Sequence, residues 1–279
     1  MTDTAGKILK KLKEQQEEEG KLPLLLEFYQ KLVQVQAAAQ NRTPPPAAVL
    51  SSEEIKTRLA QGRQLAGFTE LGLDWELVQK LFSEISGVFA AYPSLFGELP
   101  ARLQKPGARR LLTAEAVKAW FNGAELPSIL LKDIREPLLR TIIHATLQPF
   151  LAGYARAYQD YLKKDLLETW RRGDCPVCGG SPDMAFLEKE VGARWLVCSR
   201  CDTAWLYQRL QCPYCGTMEQ ESLSYFSDDA EIYRLYVCEK CKRYLKTIDL
   251  RKAGDEVLLP LERLLTAEMD RQARERGYH

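Results

Sequence analysis

Apolar residues in the first 170 positions recur at three- and four-residue intervals, the spacing that lines one face of a helix. Residues 5 to 19 are strongly charged and predict a peripheral helix. Residues 22 to 40 show the pattern most clearly, with one apolar face made of Leu25, Phe28, Tyr29, Leu32 and Val33. The N-terminal part of the chain therefore predicts an all-helical domain, with room for six or seven helices before residue 172.

Capping residues mark where several of these helices begin. Ser51 is followed three positions later by Glu54, which predicts a capping box at a helix start. Asp74 and Thr113 each precede an apolar-periodic run and are predicted to cap two further helices. Short polar side chains are favoured there because their oxygens accept hydrogen bonds from the free N–H groups of the first turn.

Prolines mark where helices are expected to stop. The three consecutive prolines at positions 44 to 46 cannot continue a helix, and they predict a linker or an extended surface arm. A long helical pattern then runs from about residue 132 to residue 170. Pro149 lies inside it and is expected to kink or break the helix, because proline has no backbone N–H to donate.

The pattern changes after residue 170. Residues 175 to 251 contain short apolar and aromatic runs separated by turns, which predicts a region rich in β-strands and loops. Helical spacing returns between residues 257 and 277 and predicts a C-terminal helix. The trailing CxxC pair at Cys198 is flanked by Trp195 and Trp205, which we interpret as packing residues of a small core rather than as a partner-binding surface.

All eight cysteines lie in this β-rich region, as four CxxC pairs: Cys175/Cys178, Cys198/Cys201, Cys212/Cys215 and Cys238/Cys241. The gaps between pairs are 19, 10 and 22 residues. Two CxxC pairs about 15 to 20 residues apart are typical of a zinc ribbon, in which a hairpin brings both pairs to one ion. The spacing therefore predicts that the first and second pairs share one metal and the third and fourth pairs share another.

An internal repeat supports this pairing. CPVCG at Cys175 recurs as CPYCG at Cys212, and WLVCSRC ending at Cys201 matches LYVCEKC ending at Cys241. We call the two copies repeat 1 (residues 171–211) and repeat 2 (residues 212–252). Gly179 and Gly216 follow the leading pairs and can adopt the positive φ that turns backbone N–H groups toward sulfur. Asp202 and Lys242 hold the equivalent places after the trailing pairs, so those turns are expected to be less ideal.

Four-thiolate sites restrict the chemistry that the region can perform. Tetrahedral all-sulfur coordination suits zinc and iron equally, and a site closed by four protein ligands leaves no position for a substrate. Reduced cysteines without metal are disfavoured by the four CxxC pairs. Thiol–disulfide chemistry is the rival, but a redox CxxC normally stands on a βαβ scaffold, and no such pattern surrounds these pairs.

Composition and charge narrow the function further. The chain has 279 residues and a formal net charge of +1, and residues 171 to 251 contain 12 Lys plus Arg against 12 Asp plus Glu. This balance disfavours clamping of nucleic acid by its phosphates. The N-terminus has no apolar signal region, and no apolar run approaches about 18 residues, so we expect a cytoplasmic chain without a membrane span.

Catalytic signatures are missing from the sequence. It has two histidines, His144 and His279, and contains no GxGxxG, GxxxxGK[ST] or GxSxG motif. His144 lies in a helical stretch and is interpreted as an ordinary packing or surface residue. We therefore expect a protein that is not an enzyme, with no catalytic residues and no cofactor-binding residues other than the metal ligands.

Three motifs carry a resemblance to a known family: RWLVCSRCDTAWLYQRLQCPYCG at residues 194 to 216, CPVCGGSP at Cys175 and CEKCKRYLK at Cys238. In these motifs the chain resembles the FdhE family of formate dehydrogenase accessory proteins. The closing residues 255 to 278 and, more loosely, residues 22 to 40 are also similar to the family. Glu262 stands where the family more often has Asp.

The resemblance implies an α+β fold: a helical N-terminal domain, two tandem rubredoxin-like or zinc-ribbon metal modules, and a C-terminal helix. The predicted limits are residues 1–170, 171–211, 212–252 and 253–279. It also implies iron as the metal, held by Cys175, Cys178, Cys198, Cys201, Cys212, Cys215, Cys238 and Cys241.

The implied activity is cytoplasmic maturation of formate dehydrogenase through binding of its catalytic subunit. Two alternatives stay open beside it. One is a redox or sulfur-relay protein that uses CxxC thiolates, and the other is a ribbon-type nucleic-acid-binding protein. Neither the oligomeric state nor the choice between iron and zinc follows from the residues.

Overall fold

The computed structural model describes residues 3–43, 49–104, 106–162, 169–254 and 256–279. Contacts divide the chain into two compact units. Unit 1 comprises residues 1–47 and 68–153, and unit 2 comprises residues 48–67 and 154–279. The cysteine-bearing repeats therefore share a unit with a short upstream segment, residues 48–67.

The helices before residue 172 are, in the part of the chain that the structure describes, α1 (Asp3–Glu19), α2 (Leu24–Gln40), α3 (Ser52–Ala60), α4 (Trp75–Ala90), α5 (Pro93–Phe96), α6 (Ala101–Gln104), α7 (Ala114–Phe121), α8 (Ser128–Leu131) and α9 (Glu136–Tyr158). Six of them have at least eight residues, in line with the six or seven predicted. Short 3₁₀ turns lie at Phe68–Glu70 and Pro106–Leu111. Within this described part, no helix combines the length and apolar character needed to cross a bilayer.

The predicted helix starts are confirmed by their capping hydrogen bonds. Ser51 and Glu54 form a reciprocal capping box at the start of α3. The Asp74 carboxylate accepts a hydrogen bond from the Leu77 N–H at 3.1 Å. The Thr113 hydroxyl accepts a hydrogen bond from the Ala116 N–H, in the first turn of α7, at 3.3 Å. Asn41 to Thr43 turn the chain out of α2, as expected, while the prolines at 44 to 46 lie outside the described residues.

Of the two outcomes expected at Pro149, the break is wrong, because α9 continues through it to Tyr158. A proline at position 149 removes the hydrogen bond that the carbonyl of Ala145 would otherwise accept. The Gln36 side-chain amide donates to that carbonyl at 2.9 Å and replaces the missing bond. The helix ends at Tyr158, where a turn follows, and residues 163–168 of the helical pattern predicted as far as residue 170 lie outside the described residues.

The core of unit 1 is aromatic on one side. Phe28 of α2 packs against Phe89 of α4, with ring centroids 4.9 Å apart, and against Phe96 at 4.6 Å. Trp120 of α7 stacks on His144 of α9 at 5.9 Å. His144 is thus a packing residue, as interpreted from its helical context.

The two repeats build one six-stranded sheet. Repeat 1 contributes β1 (Pro182–Leu187), β2 (Arg194–Cys198) and β3 (Ala204–Leu206), and repeat 2 contributes β4 (Leu223–Ser227), β5 (Tyr233–Cys238) and β6 (Tyr244–Asp249). The strand order is β3-β2-β1-β6-β5-β4. Strands pair antiparallel within each repeat, while β1 and β6 join the repeats in parallel, with Met184 opposite Lys246.

The C-terminal segment forms two helices rather than the single one predicted: α10 (Leu259–Leu265) and α11 (Ala267–Glu275). Thr266 lies between them, and its hydroxyl donates to the carbonyl of Glu262 at 2.6 Å. Such side-chain bonds compete with the helical ladder and interrupt it. One face of the repeat 2 sheet, at Leu235 and Val237, packs against Ala273 and Tyr278.

Candidate metal centres

The eight sulfurs gather into two groups of four, with the pairing that the spacing predicts. Site 1 is Cys175, Cys178, Cys198 and Cys201, and site 2 is Cys212, Cys215, Cys238 and Cys241. Within each group all Sγ atoms lie within 4.8 Å of one another.

The sulfur spacing fits a tetrahedral metal site. In site 1 the Cys178 Sγ lies 3.5 Å from the Sγ atoms of Cys198 and Cys201. In site 2 the Cys212–Cys241 and Cys215–Cys238 distances are both 3.7 Å. A tetrahedron with metal–sulfur bonds of about 2.3 Å has edges of about 3.8 Å. Each group could therefore hold one metal ion with little movement.

All four CxxC turns adopt the same backbone conformation. The residue after each second cysteine has positive φ: 68° at Gly179, 61° at Asp202, 73° at Gly216 and 54° at Lys242. The trailing turns therefore adopt the left-handed conformation without glycine. This conformation costs less free energy for the aspartate than for the lysine. The trailing turns were expected to be less ideal than the leading ones, but they have the same backbone conformation as the turns that contain glycine.

The same two backbone hydrogen bonds close every turn. In the leading turn of repeat 1, the Gly179 N–H donates to the carbonyl of Cys175 at 2.9 Å, and the Cys175 N–H donates to that of Gly180 at 2.8 Å. The counterparts in the other three turns measure 2.8 to 3.3 Å. Backbone N–H groups also reach sulfur directly, as from Arg200 to the Cys198 Sγ at 3.3 Å.

The two sites differ in their exposure. All four thiols of site 1 are buried, with at most 2 % of any residue accessible. In site 2, Cys215 is exposed and Cys241 is half-buried, while Cys212 and Cys238 are buried. Solvent and reagents therefore reach site 2 and not site 1.

Residues 65 and 66 of unit 2 cover the leading turn of site 1. The backbone N–H groups of Leu65 and Ala66 donate to the carbonyls of Pro176 and Val177 at 2.9 and 2.8 Å. Both donors are almost fully buried. This cover comes from a segment about 110 positions upstream in the sequence, so no local signal in the cysteine region predicted it.

A half-buried arginine, Arg263, ties α10 to the trailing turn of site 1. Arg263 donates to the carbonyl of Cys198 at 2.8 Å and to the carboxylate of Asp183 at 3.0 Å. It also pairs with Asp202, the residue with positive φ. These two carboxylates outweigh the effect of burial and raise the pKa of Arg263. Sequence reasoning missed Arg263, because nothing in a helical run of this composition marks it as a partner of a distant turn.

The chain end contacts the trailing turn of site 2. The His279 N–H donates to the carbonyl of Lys242 at 2.8 Å, and the Tyr278 hydroxyl donates to Glu239. Both trailing turns are therefore held by the C-terminal segment, one through a guanidinium and the other through backbone.

Proton affinity of the thiols depends on the environment of each site. Burial raises the pKa of Cys175 well above its ordinary value and raises that of Cys212 to about 12. At Cys215 burial also opposes ionisation, but hydrogen bonds led by the Thr217 backbone N–H prevail and lower the pKa. Metal loading must displace these protons, so the affinity of both sites rises with pH.

The tryptophans that flank Cys198 and Cys201 are packing residues, as interpreted from the sequence. Trp205 is fully buried, and its indole N–H donates to the carbonyl of Arg172 at 3.0 Å. Trp195 is half-buried and donates to Glu188 at 2.9 Å. Its ring stacks on Phe186 with centroids 6.2 Å apart.

Comparison with known proteins places these features in one family. Residues 174–209 match the family model described as "FdhE, central domain". The chain is 32 % identical over 235 residues to the "Protein FdhE homolog" of Aquifex aeolicus, covering 82 % of this chain and 76 % of that protein. The homolog of Stutzerimonas stutzeri is 31 % identical over 141 residues, or 48 % of this chain and 46 % of that protein.

A solved structure has the same fold. The crystal structure of the FdhE protein from Pseudomonas aeruginosa superposes with a TM-score of 0.60. The match covers 99 % of this chain and 91 % of that one, at 21 % sequence identity. The α+β architecture predicted from the sequence, with a helical N-terminal part and two four-cysteine modules, is thereby confirmed.

Proposed function

The chain belongs to the FdhE family, and from this membership we propose that it is an accessory protein for the maturation of formate dehydrogenase that binds the enzyme's catalytic subunit. The relatives reported above carry no enzyme name. We propose accordingly that the protein is not itself an enzyme and that it acts in the cytoplasm. Nucleic acid is not among the partners we propose, because the charges of the two repeats balance.

The observation that carries the proposal is the pair of preformed four-sulfur sites on one continuous sheet. We propose that the eight cysteines are ligands to two metal ions and that residues 171–211 and 212–252 act as the two metal modules. A site with four protein ligands favours structure or sensing over catalysis at the metal. Two such sites on a single sheet give a rigid platform, which suits an assembly factor that must present a fixed surface to a client.

Maturation in cells provides the direct test. The gene is deleted in a formate dehydrogenase-producing host, and formate-dependent dye reduction is measured after complementation with the intact chain or with Cys178→Ser. We expect full activity with the intact chain and at least a tenfold loss with the variant. Co-purification with the tagged catalytic subunit should fall in parallel. Normal maturation by a chain that holds neither metal would refute the proposed role of the sites.

The metal is identified by anaerobic purification followed by elemental analysis and absorption spectroscopy. The family resemblance implies iron, and four thiolates suit zinc equally. Two iron ions with a thiolate-to-iron charge-transfer spectrum would make the sites redox-sensitive, and two zinc ions would make them structural.

The exposure of Cys215 favours a second candidate, a redox or sulfur-relay protein that uses site 2 thiolates. This candidate requires a thiol in site 2 that reacts while the metal is bound. Mild alkylation of the metal-loaded protein, read by peptide mass spectrometry, tests it against Cys178 as the buried internal control. Uniform protection of all eight cysteines excludes the relay.

A further inference from the structure

A cavity of about 460 Å³ lies in unit 2 beside site 2. Its walls come from the loop that leads into Cys212 and from the faces of β4, β5 and β6. Cavities of roughly 300 to 1,000 Å³ are the size class of ligand sites, and a few residues of an extended peptide fill such a volume. The metal site occupies one wall, through Cys212 and Cys238.

The cavity walls are cationic and aromatic. Arg194, Arg209 and Arg243 line it, and among the described lining residues there is no Asp or Glu. The three arginines carry +3, while four thiolates around a divalent ion carry −2, so the walls keep a positive excess. Tyr225 and Tyr236 pack together with ring centroids 5.2 Å apart and give the cavity an apolar surface.

Arg194 brings a buried donor without a partner to this cavity. The residue is 3 % exposed, and its Nε has no hydrogen-bond partner. Its Nη2 donates to the carbonyl of Gln211 at 2.5 Å and also to that of Gln208. Desolvation lowers its pKa to about 10. This Nε is closed off from the cavity, so Arg194 contributes positive charge from within the wall, while the exposed Arg209 and the half-buried Arg243 offer donors to an anion in the cavity.

On repeat 1, the surface that corresponds to the cavity wall of repeat 2 is covered by another part of the chain. Leu196 is fully buried, whereas its counterpart Tyr236 is half-buried. The turn at Pro176 and Val177, the counterpart of the cavity wall at residues 213 and 214, receives the backbone N–H groups of residues 65 and 66. The molecule thus contains its own example of a backbone segment bound against this part of a repeat.

We propose that the cavity of repeat 2 binds an extended, acidic segment of a partner protein. A carboxylate of the segment pairs with Arg209 and Arg243, and a neighbouring apolar side chain packs on Tyr225 and Tyr236. The carbonyl of Pro213 is covered by Gly173, so the segment binds through the arginine and tyrosine side chains rather than through this backbone group. The inference rests on the proposed function to the extent that a maturation factor must hold a client chain.

Peptide binding to the intact, metal-loaded chain tests the proposal without formate dehydrogenase. Three fluorescein-labelled heptapeptide pools are used, with random positions around a central Glu, Ala or Lys, and binding is followed by fluorescence anisotropy. Arg209→Glu and Arg243→Gln alter the cavity. Arg109→Glu, an exposed arginine of unit 1, matches the charge change of the first variant elsewhere on the chain. Thermal melts establish that each variant is folded. Inorganic phosphate and AMP serve as competitors.

The proposal predicts that the Glu pool binds at least tenfold more tightly than the Lys pool. Arg209→Glu and Arg243→Gln should each weaken the Glu pool at least tenfold, and Arg109→Glu should leave it within twofold. Equal affinity for the Glu and Lys pools, an equal loss in Arg109→Glu, or no binding of any pool overturns the proposal. Binding of AMP or phosphate in place of peptide reassigns the cavity to a small anion. If the peptides do not bind as predicted but maturation in cells is normal, peptide binding by the cavity is rejected and the proposed function stands.

Discussion

In repeat 1 all four thiols are buried, whereas in repeat 2 Cys215 lies at the surface and Cys241 is half-buried. The turns themselves are alike, with the same positive φ and the same closing hydrogen bonds in both repeats. The difference comes from the surroundings. Residues 65 and 66 cover the leading turn of repeat 1, and the matching surface of repeat 2 borders an open cavity. The conformation of the CxxC turns and the accessibility of their sulfurs are therefore set by different parts of the chain.

The largest expected effect is a difference in stability between Cys178→Ser and Cys215→Ser. These variants change equivalent positions in the two repeats. Metal binding and folding are coupled on a scale of roughly 10 kcal/mol in small zinc domains. We expect Cys178→Ser to lose the metal of site 1 and the cooperative unfolding of unit 2, because water cannot replace a buried ligand. Cys215→Ser should cost about 2 kcal/mol, since water can fill an exposed coordination position.

Elemental analysis and thermal unfolding followed by near-ultraviolet circular dichroism measure both variants. Equal destabilisation by the two substitutions would contradict the comparison, because it would make the exposed ligand as essential as the buried one.

Removing the guanidinium of Arg263 should loosen site 1 alone. Arg263→Met leaves the carbonyl of Cys198 and two carboxylates without their partner, which we expect to cost about 2 to 3 kcal/mol. Arg271→Met is the matched control, because Arg271 is exposed and pairs with Glu268 and Glu275 on its own helix. Urea unfolding measures both, and a control as unstable as Arg263→Met would show that the loss is general to the C-terminal helices.

A chelator should distinguish the sites by rate. We expect site 2 to release its metal at least tenfold faster than site 1, equivalent to about 1.4 kcal/mol in activation free energy. Elemental analysis of protein desalted at intervals after chelator addition should show two phases, each of one ion per chain. Iodoacetamide added during the fast phase should label the four cysteines of site 2 and spare those of site 1. A single phase for both ions would break the comparison.

The smallest expected effect concerns packing around site 1. A methyl group at Gly180 would lie 2.9 Å from the Arg200 Cδ and 3.0 Å from the Cys198 Sγ. We expect Gly180→Ala to cost about 1 kcal/mol, because the arginine can move and the sulfur cannot. The counterpart in repeat 2 is Thr217, which already carries a side chain. Thr217→Ala should therefore change stability by less, as measured in the same urea titration.

Local signals in the sequence predicted much of the fold. The capping box at Ser51 and the caps at Asp74 and Thr113 depend on neighbouring residues alone, and the structure has all three. The 19- and 22-residue gaps also carried the pairing of the sulfurs, because a hairpin of that length returns to its origin. The division between helical and β-rich parts followed from periodicity.

Contacts between residues far apart in the sequence could not be predicted from such local signals. The continuity of α9 through Pro149 depends on Gln36, more than 100 positions away. The parallel pairing of β1 with β6, the cover over site 1 and the role of Arg263 likewise join distant segments. Periodicity and spacing report what a residue's neighbours allow, so they describe the two repeats as equivalent and miss the difference in exposure between them.

The parallel pairing of β1 with β6 also affects the order of events on the ribosome. Met184 pairs with Lys246, which is translated 62 codons later. The four thiols of site 1 and the covering residues 65 and 66 all emerge before β6 exists, so repeat 1 can take its metal while its sheet edge still lacks a partner. An open edge invites pairing with other chains. The edge of β1 is therefore open to pairing with another chain until residues 244–249 have been synthesised.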